Sequence, residues 1–394
     1  MKKFSNIPYI ILLLAGWACD IGNNIVEPAN TFAKIYDDNR FEQEYYPLDV
    51  TQTTDDGFLI LAEVKFDQAL FTSVYVIKTD DRGEVVTSTQ LPAPLANAVG
   101  HWSKIAGTYY FVCLDANTLA SQLVPVDDTG NVGSPVPLGG LTYPLTVTQN
   151  DNELILLSFD NANNESVIST LTTDGQITRQ AGYSIGAGVD VEKPIIDHLT
   201  RNGPKLPFAV GKTSGDTYYF NGFYNYTFSL VFSNFNATPT GVCQGQLSEG
   251  GISSVINLGG EDFAVGRFNF GANYLNPVTR IPLNSITSST DLGGNTFPEI
   301  EPGAKVKLSL WNDNFLLYGT HTQSRQIVLY GFNRTDGTIV GTAYLGSGNP
   351  YTFAAYTFTR DGGIAILAET AIEGRFPRVA LFKRSALYMN ALLH

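Results

Sequence analysis

The chain has 394 residues, 43% of them hydrophobic, with 24 Lys+Arg against 37 Asp+Glu and a formal net charge of −13. That charge repels polyanions such as DNA or RNA, and no basic cluster offsets it locally, so nucleic acid is not an expected partner. Three cysteines and four histidines without paired spacing give neither a zinc site nor a disulfide framework, and no metal or cofactor is expected.

Lys2 and Lys3 precede an apolar run from Ile7 to Ala15. The run is too short to span a bilayer as a helix, which takes about 20 residues, and has the flanks of a secretion signal. The following Ala15-Gly16-Trp17-Ala18-Cys19 resembles the lipobox of bacterial lipoproteins, with Trp17 in place of the usual small residue, as in the looser lipoboxes of Bacteroidota. This resemblance implies that residues 1–18 are removed, that Cys19 carries the lipid, and that the mature protein is anchored in the outer membrane. Residues 19–30 are polar and turn-rich and read as a flexible tether.

A unit then repeats along the chain. Its template is Thr53-Thr54-Asp55-Asp56-Gly57 followed by the apolar run Phe58 to Glu63. Weaker copies follow at Ala106-Gly107, Asp151-Asn152, Asn202-Gly203, Gly259-Gly260 and Asn312-Asp313, and the closest copy is Thr359-Arg360-Asp361-Gly362-Gly363 before Ile364 to Glu369. Taking Gly57, Gly107, Asn152, Gly203, Gly260, Asp313 and Gly362 as markers, the intervals are 50, 45, 51, 57, 53 and 49 residues. Each marker is a turn residue that tolerates positive φ, and each precedes a run of strand length.

Asp-Gly hairpin signals trail several markers, as at Asp80-Asp81-Arg82-Gly83, Asp127-Asp128-Thr129-Gly130, Thr173-Asp174-Gly175 and Thr335-Asp336-Gly337. Pro47, Pro94, Pro144, Pro194, Pro298 and Pro350 stand ahead of most markers, where an incoming strand can start without its N–H. One unit therefore holds a four-stranded meander, the blade of a propeller. The reading is all-β: a single seven-bladed β-propeller over residues 31–394, in which the strand Phe32 to Tyr36 completes the last blade by pairing near Val379 to Phe382.

The Lys-Ile-Tyr strand, the Thr-x-Asp-Gly-Gly-apolar turn and the Val-Tyr-x-Ile-Lys-Thr-Asp-x-x-Gly segment resemble the β-propeller repeats of lipid-anchored and secreted proteins of Bacteroidota and related bacteria. The resemblance covers the chain from about Thr31 onward, most closely in the first and last units. It implies fold and not activity, since propellers host catalysis, glycan binding and protein docking alike.

No Gly-x-Ser-x-Gly elbow and no His-x-His spacing occurs, and lone His101, His198, His321 and His394 read as surface or packing residues. Asp190, Glu192 and Asp197, and Glu299 and Glu301, lie in connections that enter inner strands, where a glycosidase could place a carboxylate pair, but they read first as solvated loop acids. Cys113 and Cys243 fall in units that do not touch, so both are expected to be free thiols. The aromatic run Tyr218, Tyr219, Phe220, Phe223, Tyr224 and Tyr226 reads equally as a loop between second and third strands, sharing one face with Phe268, Phe270 and Tyr274, or as a long hairpin packing its aromatics on the blade. Such a surface suits a partner protein or a glycan. The expected function is a non-enzymatic binding or docking protein within an outer-membrane or cell-surface complex. The alternative is a carbohydrate-binding or glycoside-cleaving propeller. With wild type and Cys19→Ala expressed in a bacterium fed labelled palmitate, the label is expected only in the wild type; equal labelling would remove the anchor.

Overall fold

The computed structural model describes residues 31–36, 43–66, 69–202, 205–246, 250–372 and 376–393, so the expected secretion signal, Cys19, the expected tether and His394 lie outside the described residues. The described chain is all-β apart from helix α1 (Glu192–Thr200), a 3-10 turn at Ser289–Leu292 and helix α2 (Ala386–Leu393). No helix among the described residues is long and apolar enough to cross a membrane.

The strands among the described residues form six sheets. Four meanders stand as separate sheets, beginning at Pro144–Asn150, Ala209–Lys212, Gly250–Gly259 and Lys307–Trp311. The meanders beginning at Gln43–Gln52 and Ser103–Ile105 join into one nine-stranded sheet, because the short strand Leu95–Ala96 pairs with both Ser73–Thr79 and Thr108–Asp115. Seven separate sheets, as the repeat suggests, are therefore not what forms. The last sheet takes Tyr351–Phe358, Ile364–Ile372 and Phe376–Arg384 from the end of the chain and Phe32–Tyr36 from its beginning. Phe32–Tyr36 runs antiparallel to Phe376–Arg384 with Ala33 opposite Phe382 and Tyr36 opposite Val379, the pairing expected from the sequence.

Burial follows position within a meander. The second strand Phe58–Phe66 is buried at every residue from Phe58 to Val64, whereas the fourth strand Val85–Gln90 is exposed or half-buried throughout. A strand covered on both faces reads as an unbroken apolar run instead of an alternating one. The covering comes from the neighbouring meanders. Ile60 and Val50 pack with Leu367 and Leu381 of the last sheet, while Leu59 and Leu61 on the opposite face pack with Phe111 and Val124. Comparable apolar clusters join each later meander to the next.

The template turn has a specific chemistry. The Asp55 carboxylate accepts hydrogen bonds from Thr53, from the Gly57 amide and from the buried Lys78 ammonium at 2.8 Å. Asp361 does the same with Thr359, Gly363 and Lys383. Gly57 does not have positive φ; Asp56 takes that role at φ 66°. Gly57 is needed instead because a Cβ would sit 2.1 Å from the Thr79 carbonyl and 2.5 Å from Lys78 Nζ. Burial pushes the Asp361 carboxyl up, but bonds from Lys383, Thr359 and Gly363 more than offset it and hold it at about 2. The pair therefore stabilises the fold above the usual aspartate range near pH 4, and its contribution is lost as pH falls toward 2. Asp361→Ala should cost about 2 kcal/mol at pH 7 in urea unfolding, below the usual figure for a buried pair because a third of the Asp361 side chain stays in water. The gap between wild type and variant should close as the pH is lowered from about 4 to about 2.

Candidate functional site: a central recess

The inner strands and the connections leading into them surround a cavity of about 800 Å³. Each meander contributes to its wall, through Leu48, Val99, Leu145, Phe208, Val255, Val306 and Phe353 in chain order. The cavity lies toward the face of the loops joining second and third strands, since Glu63, His321 and Glu369 come from the ends of second strands and Arg325 from such a loop. The Asp-Gly hairpins are at the other end of the strands.

Three groups of charged side chains line or underlie it. The first is placed by α1, which buries Ile195 and Leu199 on one face and ends at Arg201 with φ 57°, a left-handed closure in which the Arg201 amide donates to the Asp197 carbonyl. That closure turns Arg201 onto Glu63, its ion-pair partner, with the guanidinium 4.3 Å from the Tyr46 ring centroid. Three residues earlier, His198 Nδ1 accepts the Leu206 amide at 2.7 Å. Burial, then the nearby cations Lys205, Arg201 and Lys305, hold the His198 imidazole neutral, with its pKa well below the ordinary value.

The second group is Glu301, His321 and Arg325. The Phe353 amide donates to His321 Nδ1, which leaves Nε2–H to face Glu301 at 3.1 Å. Arg325 donates to the other Glu301 oxygen at 3.0 Å and to the Thr352 hydroxyl at 2.7 Å. Burial lowers the His321 pKa although Glu301 opposes the shift. The third group lies deeper, where buried Asp49 accepts from Lys307 at 3.0 Å and from the Trp102 amide at 2.8 Å.

Three further ionisable groups have no ion-pair partner among the described residues. Lys205 Nζ donates only to the His198 carbonyl and Lys305 Nζ only to the Leu48 carbonyl, at 3.4 Å. Both residues are exposed and line the cavity. Desolvation in the recess brings Lys205 down to about 7 and Lys305 to about 8, with Glu63 and Asp49 respectively resisting. Glu369 is the third, and burial raises its pKa against the opposing pull of Arg201 and Arg325. No group of three or more His, Cys, Asp or Glu able to hold a metal ion occurs among the described residues.

The aromatic surface expected from the sequence does not form as expected. Tyr218–Tyr224 is the second strand of its meander and not a loop, so Tyr218, Tyr219 and Phe220 are buried, with Phe220 stacked on Tyr183 at 5.7 Å. Phe223 and Tyr224 are half-buried against the same core, and Tyr226 is exposed in the tight turn that follows. The error is one of strand register. The turn of this meander is Thr213 to Thr217, closed by the Thr213 amide on the Thr217 carbonyl as Thr53 closes on Gly57, while Gly203 of the expected turn lies outside the described residues. Helix α1 and its closure occupy the length in between, with Pro194 in the first helical turn, where a missing N–H is tolerated, instead of at a strand start.

Phe268 lines the recess, Phe270 is exposed in a turn, and Tyr274 is half-buried beneath Arg267 at 3.9 Å. Of the carboxylates singled out, Asp190 accepts from the Glu192 amide, Glu192 accepts from Tyr143, and Asp197 pairs with Lys193. Glu299 accepts from Tyr330 and Tyr344, which leaves Glu301 as the one of these five that reaches the recess. Cys113 and Cys243 are buried free thiols, and burial pushes them up to about 12 and about 11.

No protein-family model matches the chain, and no curated protein sequence is significantly similar to it. Its fold is similar to the β-propeller domain of the Trilobed protease from Pyrococcus furiosus, with a TM-score of 0.50 and 10% identity over 87% of this chain and 95% of that one. The fold is a β-propeller. Weaker likenesses include an α-L-arabinanase of Penicillium chrysogenum, at TM-score 0.45 and 10% identity over 88% of this chain and 94% of that one. Another is a protein of unknown function from Bacteroides caccae, at TM-score 0.35 and 10% identity over 82% of each chain. At such identities the likeness to the protease domain concerns the fold alone. In this propeller the aromatic run is core, so Phe220→Ala should cost about 3–5 kcal/mol in chemical unfolding, as for other buried phenylalanines. Tyr226→Ala should cost much less.

Proposed function

We propose that this protein is a lipid-anchored propeller of the bacterial outer membrane, with seven blades in a closed ring, that acts as a non-enzymatic binding protein with its ligand in the central recess. The ring is supported by the apolar clusters, which link each four-stranded meander to the next and the last to the first, and by the first strand joining the last sheet. The two meanders merged into one sheet count as two blades, since Leu95–Ala96 only bridges them. The anchor is supported by the resemblance of residues 15–19 to a lipobox, with Cys19 carrying the lipid and an envelope protein as a further partner.

The observation that carries the binding reading is the recess itself, walled by every meander and lined by polar side chains fixed in advance by hydrogen bonds. A concave, pre-formed cavity of several hundred Å³ is the usual form of a small-molecule site. Two of its carboxylates are already committed, Glu63 to Arg201 and Glu301 to His321 and Arg325, which does not suit a nucleophile or a general base. A glycoside-cleaving reading is favoured by Glu369 alone, an unpaired carboxyl with a raised pKa.

Ser254 lines the cavity, and Ser254→Trp should obstruct it. In a thermal-shift screen of neutral and acidic mono- and disaccharides, the compound that stabilises the wild type should fail to stabilise Ser254→Trp. Binding indifferent to that substitution would place the ligand elsewhere. Release of sugar from a polysaccharide, abolished by Glu369→Gln, would make the protein an enzyme.

A further inference from the structure

We infer that the recess is selective for a small polyhydroxylated molecule carrying an anionic oxygen group, which Lys205 and Lys305 hold together. The inference rests on the reading of the recess as the ligand site. It follows from comparing which charges there are matched and which are not. Arg201 is matched by Glu63, Arg325 by Glu301, and Lys307 by Asp49. Lys205 and Lys305 have no carboxylate within ion-pair distance among the described residues and touch only backbone carbonyls. Two ammonium groups are thus set around one cavity in a chain whose formal charge is −13.

Side chains as flexible as lysine normally settle beside a carboxylate when one is in reach. These two are exposed to the recess and reach none among the described residues. The Lys205 ammonium is tied to the end of α1, and Lys305 follows the turn in which the Ala304 amide donates to the Glu301 carbonyl. An anion entering the cavity would gain charge-assisted hydrogen bonds from both. A metal cation is disfavoured, because the unmatched carboxylate, Glu369, is faced by Arg201 and Arg325. Glu369 with its raised pKa suits a hydroxyl better. Phe208, held edge-on by His198 at a centroid distance of 5.1 Å, gives an apolar wall for a ring.

The lysines also make binding proton-linked. Lys205 is faced by Glu63, Arg201, Lys305 and Lys65, and Lys305 by Asp49, Lys307 and Arg201. His198 and His101 stand beside them and are held neutral by burial. Burial in the recess and then the neighbouring cations lower both lysines from their ordinary value, and a bound anion favours their charged forms, so affinity should fall as pH rises through the neutral to alkaline range.

The test is calorimetric titration of the purified protein with D-glucuronate, D-glucose 6-phosphate and D-glucose. At least one acidic probe should bind at least about tenfold more tightly than glucose, a difference expected for charge-assisted bonds. The better acidic probe decides between carboxylate and phosphate. Lys205→Met and Lys305→Met should each weaken that probe at least about tenfold with little change in melting temperature, while Lys205→Arg and Lys305→Arg should retain most of the affinity. Failure of both acidic probes to bind at about 10 mM, or acidic binding indifferent to the Met substitutions, would overturn the inference. So would glucose binding as tightly as the acids; if that binding is lost in Ser254→Trp, the recess remains the ligand site. Binding of any probe that survives Ser254→Trp removes the recess reading as well.

Discussion

Everything in this molecule depends on the second strand of each meander being apolar on both of its faces. A four-stranded sheet of this kind cannot cover its own surface. Leu59 and Leu61 point to one neighbour while Phe58 and Ile60 point to the other, so a sheet with only one neighbour would leave half of these side chains in water. Stacking in a line would solve this for the middle units and leave it unsolved at the ends. Ala354, Ala365 and Leu367 of the last sheet pack against Val50 and Ile60 of the first meander, and Phe32–Tyr36 adds its backbone ladder to the last sheet.

The same geometry explains why the buried lysines and the recess lysines behave differently. Lys78 and Lys383 belong to third strands, in the packed layer, and each meets an aspartate presented by a turn whose last glycine lets the ammonium approach. They are matched and they brace the join between strand pairs. Lys205 and Lys305 belong to the connections that lead into inner strands, where neighbouring units converge without filling the space between them. No turn presents a carboxylate to them there. The chain's excess of acid sits elsewhere, so the recess differs in charge from the rest of the molecule.

Much of the architecture is legible along the chain because it rests on local chemistry. Thr-x-Asp turns with a close glycine, Asp-Gly hairpins and unbroken apolar runs recur because every unit meets the same neighbours, and six of the seven marker turns fall between first and second strands. The free state of Cys113 and Cys243 also follows from their separation among the units. The fourth unit misleads because α1 lies between its predecessor and its first strand. Its true turn, Thr213-Ser214-Gly215-Asp216, lacks the acidic residue at the template position. One misplaced turn shifted the aromatic run from core strand to surface loop.

The sequence by itself determined the repeat, the strand-rich class, the pairing of the first strand with the last sheet and the resemblance of its beginning to a lipidation signal. Only the tertiary structure decided the site. Lys205 and Lys305 are a hundred residues apart and neither lies in a motif, and Glu63, Glu301 and Glu369 come from the first, sixth and seventh meanders. A hint was present in Lys305-Val306-Lys307, where alternation puts both lysines on one side of an incoming inner strand. Whether such a residue is matched by a counter-charge depends on distances between meanders, which the order of residues along the chain does not encode.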